Sequence, residues 1–248
     1  MTTSSTVYLV SGANRGLGLA FTTLLSERPD TIVFAGARNP ETAADLHALA
    51  AQRPGQVHIV QLESSDKEGN ARAVEHIKHT AGTLDVVIAN ASICKWMGPL
   101  RDAPVEEMRE QFDVNVVGTL VLFQAAYPLM KASPTKKFVI ISAKGGSITI
   151  GPDYGTPLGP YGCSKAAENW VAKKLHLENE DFVIFPIYAA SVSTDMYGFA
   201  QQNDAMLASI PGATAEDSVR DVMRIVDSAT RDTVGGKFMD VSGNVNDW

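Results

Sequence analysis

The sequence predicts a single α/β domain, in which a doubly wound parallel sheet of about seven strands carries helices on both faces. Three observations lead to this fold class. Short apolar segments alternate with longer amphipathic segments along the chain. Several of the short segments are apolar at consecutive positions, which is typical of strands covered on both faces. The length of 248 residues and the hydrophobic content of 45% suit one domain, assigned to residues 1–248.

Seven short segments have the strand pattern. They are Val7–Val10, Thr31–Ala35, Val57–Gln61, Val86–Ala89, Lys137–Ser142, Phe182–Ile187 and Lys237–Val241. Helical periodicity marks the longer segments between them. The clearest are Leu17–Leu25, Ala43–Ala51, Asn70–Thr80, Val105–Met130 and Tyr161–Leu177. Because parallel sheets bind ligands beyond the carboxyl ends of their strands, the residues that follow each strand are the most informative about function.

The composition argues against several kinds of partner. The net charge is −7, from 28 acidic and 21 basic residues, and no basic run occurs, so we predict no nucleic-acid binding. The polar N-terminus predicts no signal peptide, and no apolar run approaches the roughly 20 residues of a membrane span. We therefore expect a cytoplasmic protein. Cys94 and Cys163 are expected to be reduced structural thiols, and no cluster of histidines indicates a metal site.

A glycine-rich segment lies between the first predicted strand and the first predicted helix. It reads Ser11-Gly-Ala-Asn-Arg-Gly-Leu-Gly18, so its glycines have the spacing GxxxGxG. Glycines at such a junction permit a tight turn and close approach of the backbone to a phosphate, whose charge the helix N-terminus attracts. The segment therefore predicts a dinucleotide site, with contacts from Gly12, Asn14, Arg15, Gly16, Leu17 and Gly18.

The end of the second predicted strand indicates which dinucleotide binds. Enzymes that use NAD carry an acidic residue there for the ribose hydroxyls, whereas enzymes that use NADP supply arginine for the 2′-phosphate. Here Arg38 follows the strand without an acid, and Arg15 lies in the glycine loop. Two guanidinium groups can clamp one phosphate, so the sequence predicts NADPH/NADP+ as the cofactor.

Tyr161 and Lys165 are four residues apart in a predicted helix, so their side chains share one helical face. A phenol with its ordinary pKa of about 10 is a sluggish proton donor or acceptor at neutral pH. A neighbouring ammonium favours the phenolate, so we expect Lys165 to lower the pKa of Tyr161. A tyrosine and a lysine at this spacing more often have a structural role. Whether this pair is catalytic depends on the other motifs in the chain.

Further motifs follow in a fixed order along the chain. They are Asn90-Ala91-Ser92 after the fourth predicted strand, Asn115 in a helix, Ser142 at the end of a strand, and Tyr161-Gly-Cys-Ser-Lys165. Together with the glycine loop, they make the sequence resemble the short-chain dehydrogenase/reductase family over nearly the whole chain. The resemblance implies a Rossmann-type fold. Three segments look especially like the fungal norsolorinic acid ketoreductases of that family: Pro160-Tyr-Gly-Cys-Ser-Lys-Ala-Ala167, Phe185-Pro186 and the late Gly236-Lys-Phe238.

The resemblance implies a role for each motif residue. Tyr161 would protonate the developing alkoxide, and Lys165 would also bind the nicotinamide ribose. Ser142 would hydrogen-bond the substrate carbonyl, and Asn115 would hold a water that relays protons. Further cofactor contacts are implied for Glu63, Ser64, Asn90, Ala91, Ser92, Val192 and Thr194. The implied reaction is reduction of a carbonyl group by hydride from the cofactor.

Three departures from the family pattern lie near the nicotinamide end. Ser92 stands in place of a glycine, and Ala189-Ala190 stands in place of Pro-Gly. The serine register is also ambiguous, because one alignment of the glycines that follow selects Ser142, which we favour, and another places Ala143 there. These departures motivate an alternative function, a non-redox descendant that keeps the NADP site as a cyclase, scaffold or regulator.

The substrate site is predicted around the same end. The Gly- and Pro-rich segment Ile150–Pro160 indicates a surface loop over the pocket. Nearby apolar and aromatic side chains suggest a bulky aromatic carbonyl compound, such as a secondary metabolite. Besides Ser142, the predicted substrate residues are Trp96, Met97, Tyr154, Met196 and Tyr197. The resemblance also implies a homodimer or homotetramer formed through the long helices.

Overall fold

An eight-stranded sheet forms the middle layer of the protein. Its strands are β1 (Thr6–Ser11), β2 (Thr31–Ala37), β3 (Val57–Gln61), β4 (Val86–Ala89), β5 (Lys137–Ser142), β6 (Val183–Tyr188), β7 (Phe238–Asp240) and β8 (Val245–Asn246). They lie in the order β3-β2-β1-β4-β5-β6-β7-β8, and neighbours are parallel except β7 and β8. The computed structural model describes residues 5–248, without the side chain of Tyr154.

The predicted fold class is confirmed, with one strand more than expected. The additional strand, β8, is two residues long and pairs antiparallel with β7 at the edge of the sheet. Two residues are too few for an alternating pattern to be read from the sequence. The parallel part of the sheet is therefore the seven-stranded array that the sequence predicts.

Helices cover both faces of the sheet. They are α1 (Gly16–Ser26), α2 (Ala44–Gln52), α3 (Lys67–Ala81), α4 (Val105–Phe112), α5 (Gly118–Lys131), α6 (Gly159–Glu178), α7 (Asp195–Asn203), α8 (Ala205–Ala208) and α9 (Ala215–Ser228). None of the helices predicted from the sequence corresponds to α7, α8 or α9. Of these, α9 has a readable amphipathic pattern, because its buried residues Val219, Val222 and Val226 recur every three or four positions.

Two apolar cores lie on opposite faces of the sheet. Along β1, Val7 and Leu9 face the core covered by α3, α5 and α6, whereas Tyr8 and Val10 face the core covered by α1, α2 and α9. Successive side chains of a strand point to opposite faces, so a strand buried on both must be apolar at every position. This explains the consecutive apolar residues in the sequence.

The predicted helix Val105–Met130 is interrupted by one wider turn. Asp113–Val117 forms a π-helical turn between α4 and α5. Single π-turns inside helices occur frequently at functional sites. This turn contains Asn115, one of the predicted catalytic residues.

Within residues 5–248, one stretch, Val105–Lys131, is long and apolar enough to cross a membrane by length and composition alone. No such run is expected from the sequence. Packing against the sheet accounts for the apolar character, because Leu122, Phe123 and Ala126 belong to the core on that face. The stretch is thus explained as a core helix.

The strand order reverses beside β1. Because β1 lies between β2 and β4, the segments that follow β1 and β4 diverge and leave a crevice between them. The glycine turn follows β1 and the Asn90 motif follows β4. The topology therefore brings these two motifs together at the carboxyl end of the sheet.

Candidate active site

A cleft of about 790 Å³ opens at the carboxyl ends of the central strands. The segments after β1, β2, β3, β4, β5 and β6 contribute to its wall. The predicted cofactor residues that line it are Gly12, Asn14, Arg15, Gly16, Leu17, Arg38, Glu63, Ser64, Asn90, Ala91, Ser92, Tyr161, Lys165, Val192 and Thr194. Gly18 does not line the cleft but packs behind it, against the carbonyl oxygen of Gly12.

Gly12 and Gly18 occupy positions where a side chain does not fit. Gly12 has a φ of +65°, and a Cβ there would lie 3.0 Å from the Cα of Ala91. A Cβ on Gly18 would lie 2.1 Å from the carbonyl oxygen of Gly12. The side chain of Asn90 fixes the turn by donating a 2.9 Å hydrogen bond to the carbonyl oxygen of Ser11. The β1 and β4 motifs therefore form one rigid unit.

Two arginines lie at the rim of the cleft. Arg38 follows β2 and is exposed. Arg15 pairs with Asp195 at 2.5 Å, and the two side chains are 70% and 76% exposed. Such an exposed pair contributes roughly 0.2–1 kcal/mol, so a phosphate can replace the carboxylate at little cost. Arg15 is also the N-cap of α1 and makes no side-chain cap hydrogen bond, so it leaves the first N–H groups of the helix uncovered.

Tyr161 and Lys165 lie in the first turns of α6, with Nζ of Lys165 5.9 Å from the centre of the Tyr161 ring. The ammonium of Lys165 donates to the carbonyl oxygen of Ile141 at 2.9 Å and to Oε2 of Glu168 at 2.6 Å. Lys165 and Glu168 are each 1% exposed. The other oxygen of Glu168 accepts a 2.6 Å hydrogen bond from Thr119 of α5. A buried ion pair therefore lies beside the predicted acid.

Sequence reasoning missed Glu168, although a signal was present. Glu168 is three residues after Lys165 on α6, and Ala172 and Leu175 continue the same helical face into the core. An acid on the inward face of an amphipathic helix needs a partner, because an unpaired buried charge is unfavourable. Lys165 was the nearest candidate.

Burial raises the pKa of Tyr161; the nearby Cys94 and Glu168 add to the rise, whereas the adjacent hydroxyl of Ser92 opposes it. The expectation that Lys165 lowers this pKa is therefore wrong in direction. The ammonium is paired with Glu168, so the phenol faces a nearly neutral ion pair instead of a free cation. The phenol stays protonated at neutral pH, as a proton donor requires.

Asn115 is buried in the π-helical turn and ties three segments together. Its Nδ2 donates to the carbonyl oxygen of Ile93 at 3.0 Å and to Oγ of Ser164 at 2.9 Å. Its Oδ1 accepts a 2.9 Å hydrogen bond from the backbone N–H of Ile93. Asn115 thereby fixes the loop after β4 against the start of α6, next to Tyr161.

Ser142 is the last residue of β5 and is buried. Its hydroxyl donates a 2.6 Å hydrogen bond to Oδ1 of Asn169 on α6. Ser142 shares the strand face of Phe138 and Ile140, which pack in the core under α5 and α6. The hydrogen of the Ser142 hydroxyl is therefore engaged in a bond to Asn169 and is not free for a ligand. The next residue, Ala143, also lines the cleft and has no hydroxyl.

Two of the residues predicted to contact the substrate also line the cleft, besides Ser142. Met196 and Tyr197 line it from α7, and Tyr188 and Leu207 were not predicted. Cys94 also lines the cleft, and burial raises the pKa of Cys94 to about 12, so it is present as a neutral thiol. Both apolar and polar groups therefore surround the space beside Tyr161.

Trp96 and Met97 were predicted as substrate residues, but they do not line the cleft. The Trp96 ring packs over Gly98 instead, where a Cβ would lie 2.6 Å from the ring. The missing side chain of Gly98 leaves the space that the indole fills. The side chain of Tyr154, the remaining predicted substrate residue, lies outside the described residues.

Ala190 is in the left-handed region, with a φ of +67°. This conformation costs a residue with a Cβ about 1–2 kcal/mol, part of which is offset because glycine loses more entropy on folding. We expect Ala190→Gly to stabilise the protein by about 0.5–1 kcal/mol and to raise Tm by about 2–4 °C per kcal/mol in a thermal melt.

Ala189→Gly is the matched control, because Ala189 is 2% exposed and is not among the residues with positive φ. The same chemical change there removes a buried methyl group and should lower Tm. A lower Tm for Ala190→Gly as well would contradict the strain argument.

Comparisons with known proteins agree with this arrangement. A family model described as short chain dehydrogenase matches residues 6–205. The chain is 35% identical over 248 residues to short chain dehydrogenase gsfK of Penicillium aethiopicum, covering 97% of this chain and 98% of the relative. It is 36% identical over 241 residues to the norsolorinic acid ketoreductase of Aspergillus parasiticus, covering 94% of this chain and 88% of the relative.

Solved structures show the same fold. The NADPH-bound carbonyl reductase from chicken fatty liver superimposes with a TM-score of 0.88 at 25% sequence identity, covering 99% of this chain and 95% of that one. The matched regions include the glycine turn, the Asn90 motif and Tyr161 as well as the sheet. The resemblance drawn from the motifs is confirmed, and the chain belongs to the short-chain dehydrogenase/reductase family.

Proposed function

We propose that the protein is an NADPH-dependent ketoreductase. The observation that carries the proposal is the position of Tyr161, whose pKa burial raises, in the wall of the cleft that also contains the glycine turn. When bound, NADPH supplies the hydride that reduces the carbonyl carbon. Tyr161 gives its proton to the carbonyl oxygen and regains one from solvent. One ketone, one NADPH and one proton thus yield one alcohol and one NADP+.

The residues present fit a dinucleotide. Side chains are excluded at Gly12 and Gly18, and this permits close approach of a pyrophosphate to the backbone. The uncovered N-terminus of α1 offers N–H donors and partial positive charge to the same group. Glu63 and Ser64, after β3, line the part of the cleft that would hold the adenine half.

Arg38 and Arg15 support NADPH over NADH. In the part of the chain that the structure describes, Arg38 has no carboxylate partner, and the partner of Arg15 is weakly held. Because charge-assisted hydrogen bonds contribute about 1.5–3 kcal/mol, we expect Arg38→Asp to weaken NADPH binding by about 10–100-fold while leaving NADH binding nearly unchanged. Fluorescence titration of both cofactors measures the two dissociation constants.

Arg220→Asp is the control for this change, because it makes the same charge reversal on α9, outside the cleft wall. It should leave both affinities as they are. An unchanged preference for NADPH in Arg38→Asp would refute the assignment of Arg38 to the 2′-phosphate.

Lys165 is proposed to hold the nicotinamide ribose. An ammonium has three donors, and two of them are used by Ile141 and Glu168. The third remains for a ribose hydroxyl at the cleft wall that Lys165 lines. The water-holding role of Asn115 stays a prediction; its hydrogen bonds to Ile93 and Ser164 support a positioning role.

The proposed substrate is a bulky, partly aromatic ketone of secondary metabolism. Met196, Tyr197 and Leu207 provide apolar surface on one side of the cleft. The name of one relative, a norsolorinic acid ketoreductase, supports this substrate class. The volume of about 790 Å³ suits a dinucleotide together with a second ligand of moderate size.

A second candidate is a non-redox protein that binds NADP as a cyclase, scaffold or regulator. It is favoured by Ala143, which lacks a hydroxyl, and by the Ala189-Ala190 pair at the nicotinamide end. The deciding experiment measures NADPH oxidation with a panel of aromatic ketones and quinones, beside NADPH binding by fluorescence. Turnover with a panel member would support the reductase, whereas tight NADPH binding without turnover would favour the second candidate.

We also propose that the protein forms a homodimer or homotetramer. Trp170 and Leu177 on α6 are 66% and 63% exposed, and Val105 on α4 is 56% exposed. Exposed apolar side chains on adjacent helices are typical of surfaces that a partner covers. A monomeric mass by light scattering would contradict this proposal. The cytoplasmic location stays a prediction from composition.

A further inference from the structure

Reduction of a carbonyl places negative charge on the carbonyl oxygen as the hydride arrives. One stabilising contact comes from the proton donor, Tyr161, and a second preorganised donor lowers the barrier further. The resemblance assigns the second donor to a serine at the end of β5. The structure leaves that position without an available hydroxyl hydrogen.

Ser142 lines the cleft, but the hydrogen of its hydroxyl is used in a bond within the protein. It donates to Oδ1 of Asn169 at 2.6 Å, and Nδ2 of Asn169 is itself fixed by the carbonyl oxygen of Gly146 at 3.2 Å. Turning the hydroxyl toward the cleft would leave the buried oxygen of Asn169 without a donor. Ala143, the alternative serine position, has no hydroxyl at all.

The hydroxyl of Ser92, unlike that of Ser142, is not engaged in a well-formed hydrogen bond with another of the described residues. The Oγ of Ser92 is buried and, in the part of the chain that the structure describes, forms no hydrogen bond of ordinary geometry. The phenol of Tyr161 is nevertheless close enough for the Ser92 hydroxyl to lower its pKa as a hydrogen bond would. Ser92 lines the same cleft as Tyr161. A buried hydroxyl without a well-formed hydrogen bond is unfavourable in a folded protein, so Ser92 retains the capacity to donate to a ligand oxygen beside the phenol.

The backbone on both sides of Ser92 is rigid. The N–H of Ala91 donates to Oγ of Ser11 at 3.0 Å, and the N–H of Ile93 donates to Oδ1 of Asn115 at 2.9 Å. The backbone segment that bears the Ser92 hydroxyl is therefore fixed on both sides, as a preorganised donor requires. Its closeness to the phenol is also seen in its effect on Tyr161, whose pKa the Ser92 hydroxyl lowers against the larger effect of burial.

We propose that Ser92 donates the second hydrogen bond to the substrate's carbonyl oxygen, in place of the serine at the end of β5. This inference rests on the proposed carbonyl reduction. In the reaction, the O–H bond of Tyr161 breaks and its proton moves to the carbonyl oxygen as hydride from NADPH reaches the carbonyl carbon. Ser92 keeps its proton and contributes a hydrogen bond only, so the reductant and the proton balance are unchanged.

The test compares Ser92→Ala with Ser142→Ala, using a ketone that the wild type reduces. Removal of one preorganised donor to an oxyanion lowers kcat by about 10²–10³-fold, which is the expected loss for Ser92→Ala. Ser142→Ala should lose much less, since its hydroxyl bonds within the protein. Ser228→Ala removes an exposed hydroxyl on α9 and serves as the unaffected control. Thermal melts and NADPH fluorescence verify that each variant folds and binds the cofactor.

Rescue separates a catalytic role from a structural one. Ala143→Ser restores a hydroxyl at the alternative family position, so the double variant Ser92→Ala/Ala143→Ser should regain part of the lost kcat. Wild-type turnover in Ser92→Ala, with a 10²-fold loss in Ser142→Ala, would overturn the inference and leave the reductase function intact. A wild type that reduces no carbonyl of the panel would overturn both.

Discussion

Tyr161→Phe should lower kcat for ketone reduction by about 10²–10⁴-fold while NADPH binds as in the wild type. The change removes the only proton that the proposal delivers to the carbonyl oxygen, and it leaves the ring in place. Burial raises the pKa of Tyr161, so the wild-type phenol is protonated and ready to donate at neutral pH. Steady-state NADPH oxidation, with fluorescence titration of the cofactor, separates the catalytic loss from a binding loss.

Tyr127→Phe is the control for this variant. It removes the same hydroxyl from α5, where Tyr127 accepts a hydrogen bond from Lys131 outside the cleft wall. Its kcat should equal that of the wild type. Full activity in Tyr161→Phe would exclude Tyr161 as the acid, and loss of NADPH binding would show that the residue holds the cofactor instead.

Glu168→Leu is expected to destabilise the protein by about 3–5 kcal/mol, because it leaves the buried ammonium of Lys165 without its charged partner. The hydrogen bond from Thr119 is lost at the same time. Urea denaturation measures the free energy of unfolding. The double variant Lys165→Leu/Glu168→Leu should recover much of the loss, because replacing both members of a buried pair by apolar residues is often nearly neutral.

The pair formed by Lys174 and Glu178 offers a matched control on the same helix. These two side chains are 49% and 53% exposed and 3.0 Å apart. Glu178→Leu should therefore change the free energy of unfolding by less than about 1 kcal/mol. Equal losses for Glu168→Leu and Glu178→Leu would show that burial does not distinguish the two ion pairs.

Glu168 also affects the pH dependence of the proposed reaction. Its negative charge contributes to the raised pKa of Tyr161. Reduction needs the protonated phenol, so activity falls as pH rises through this pKa. Glu168→Gln removes the charge and lowers the pKa of Tyr161, so the fall should begin at a lower pH than in the wild type. A pH–rate profile whose basic limb stays in place or moves upward would contradict this coupling.

Much of the molecule follows from local patterns. Consecutive apolar residues identify the strands because each strand is buried on both faces, and the spacing of the glycines identifies the turn because side chains at Gly12 and Gly18 would meet backbone. The four-residue interval places Tyr161 and Lys165 on one helical face. These features depend on the chain within one or two elements, so the sequence alone is sufficient to predict them.

Contacts between elements were decided only by the tertiary structure. Glu168 meets Thr119 across α5 and α6. Burial of Tyr161 between packed elements, with smaller contributions from Cys94 and Glu168, reverses the expected direction of its pKa shift. The direction of the Ser142 hydroxyl depends on Asn169, which lies on another element. Such contacts join residues that are far apart in the chain. The periodicity of the sequence does not determine which of these side chains will contact each other.

The sequence by itself determined the fold class, the place of the cofactor cleft, and the motif residues that mark the family. The tertiary structure decided the direction of the pKa shift at Tyr161, the partner of Lys165 and the hydrogen bonding of the Ser92 and Ser142 hydroxyls. The physical reason is that backbone periodicity sets which face a residue occupies. Burial, charge pairing and hydrogen-bond partners are set by the elements that pack against that face.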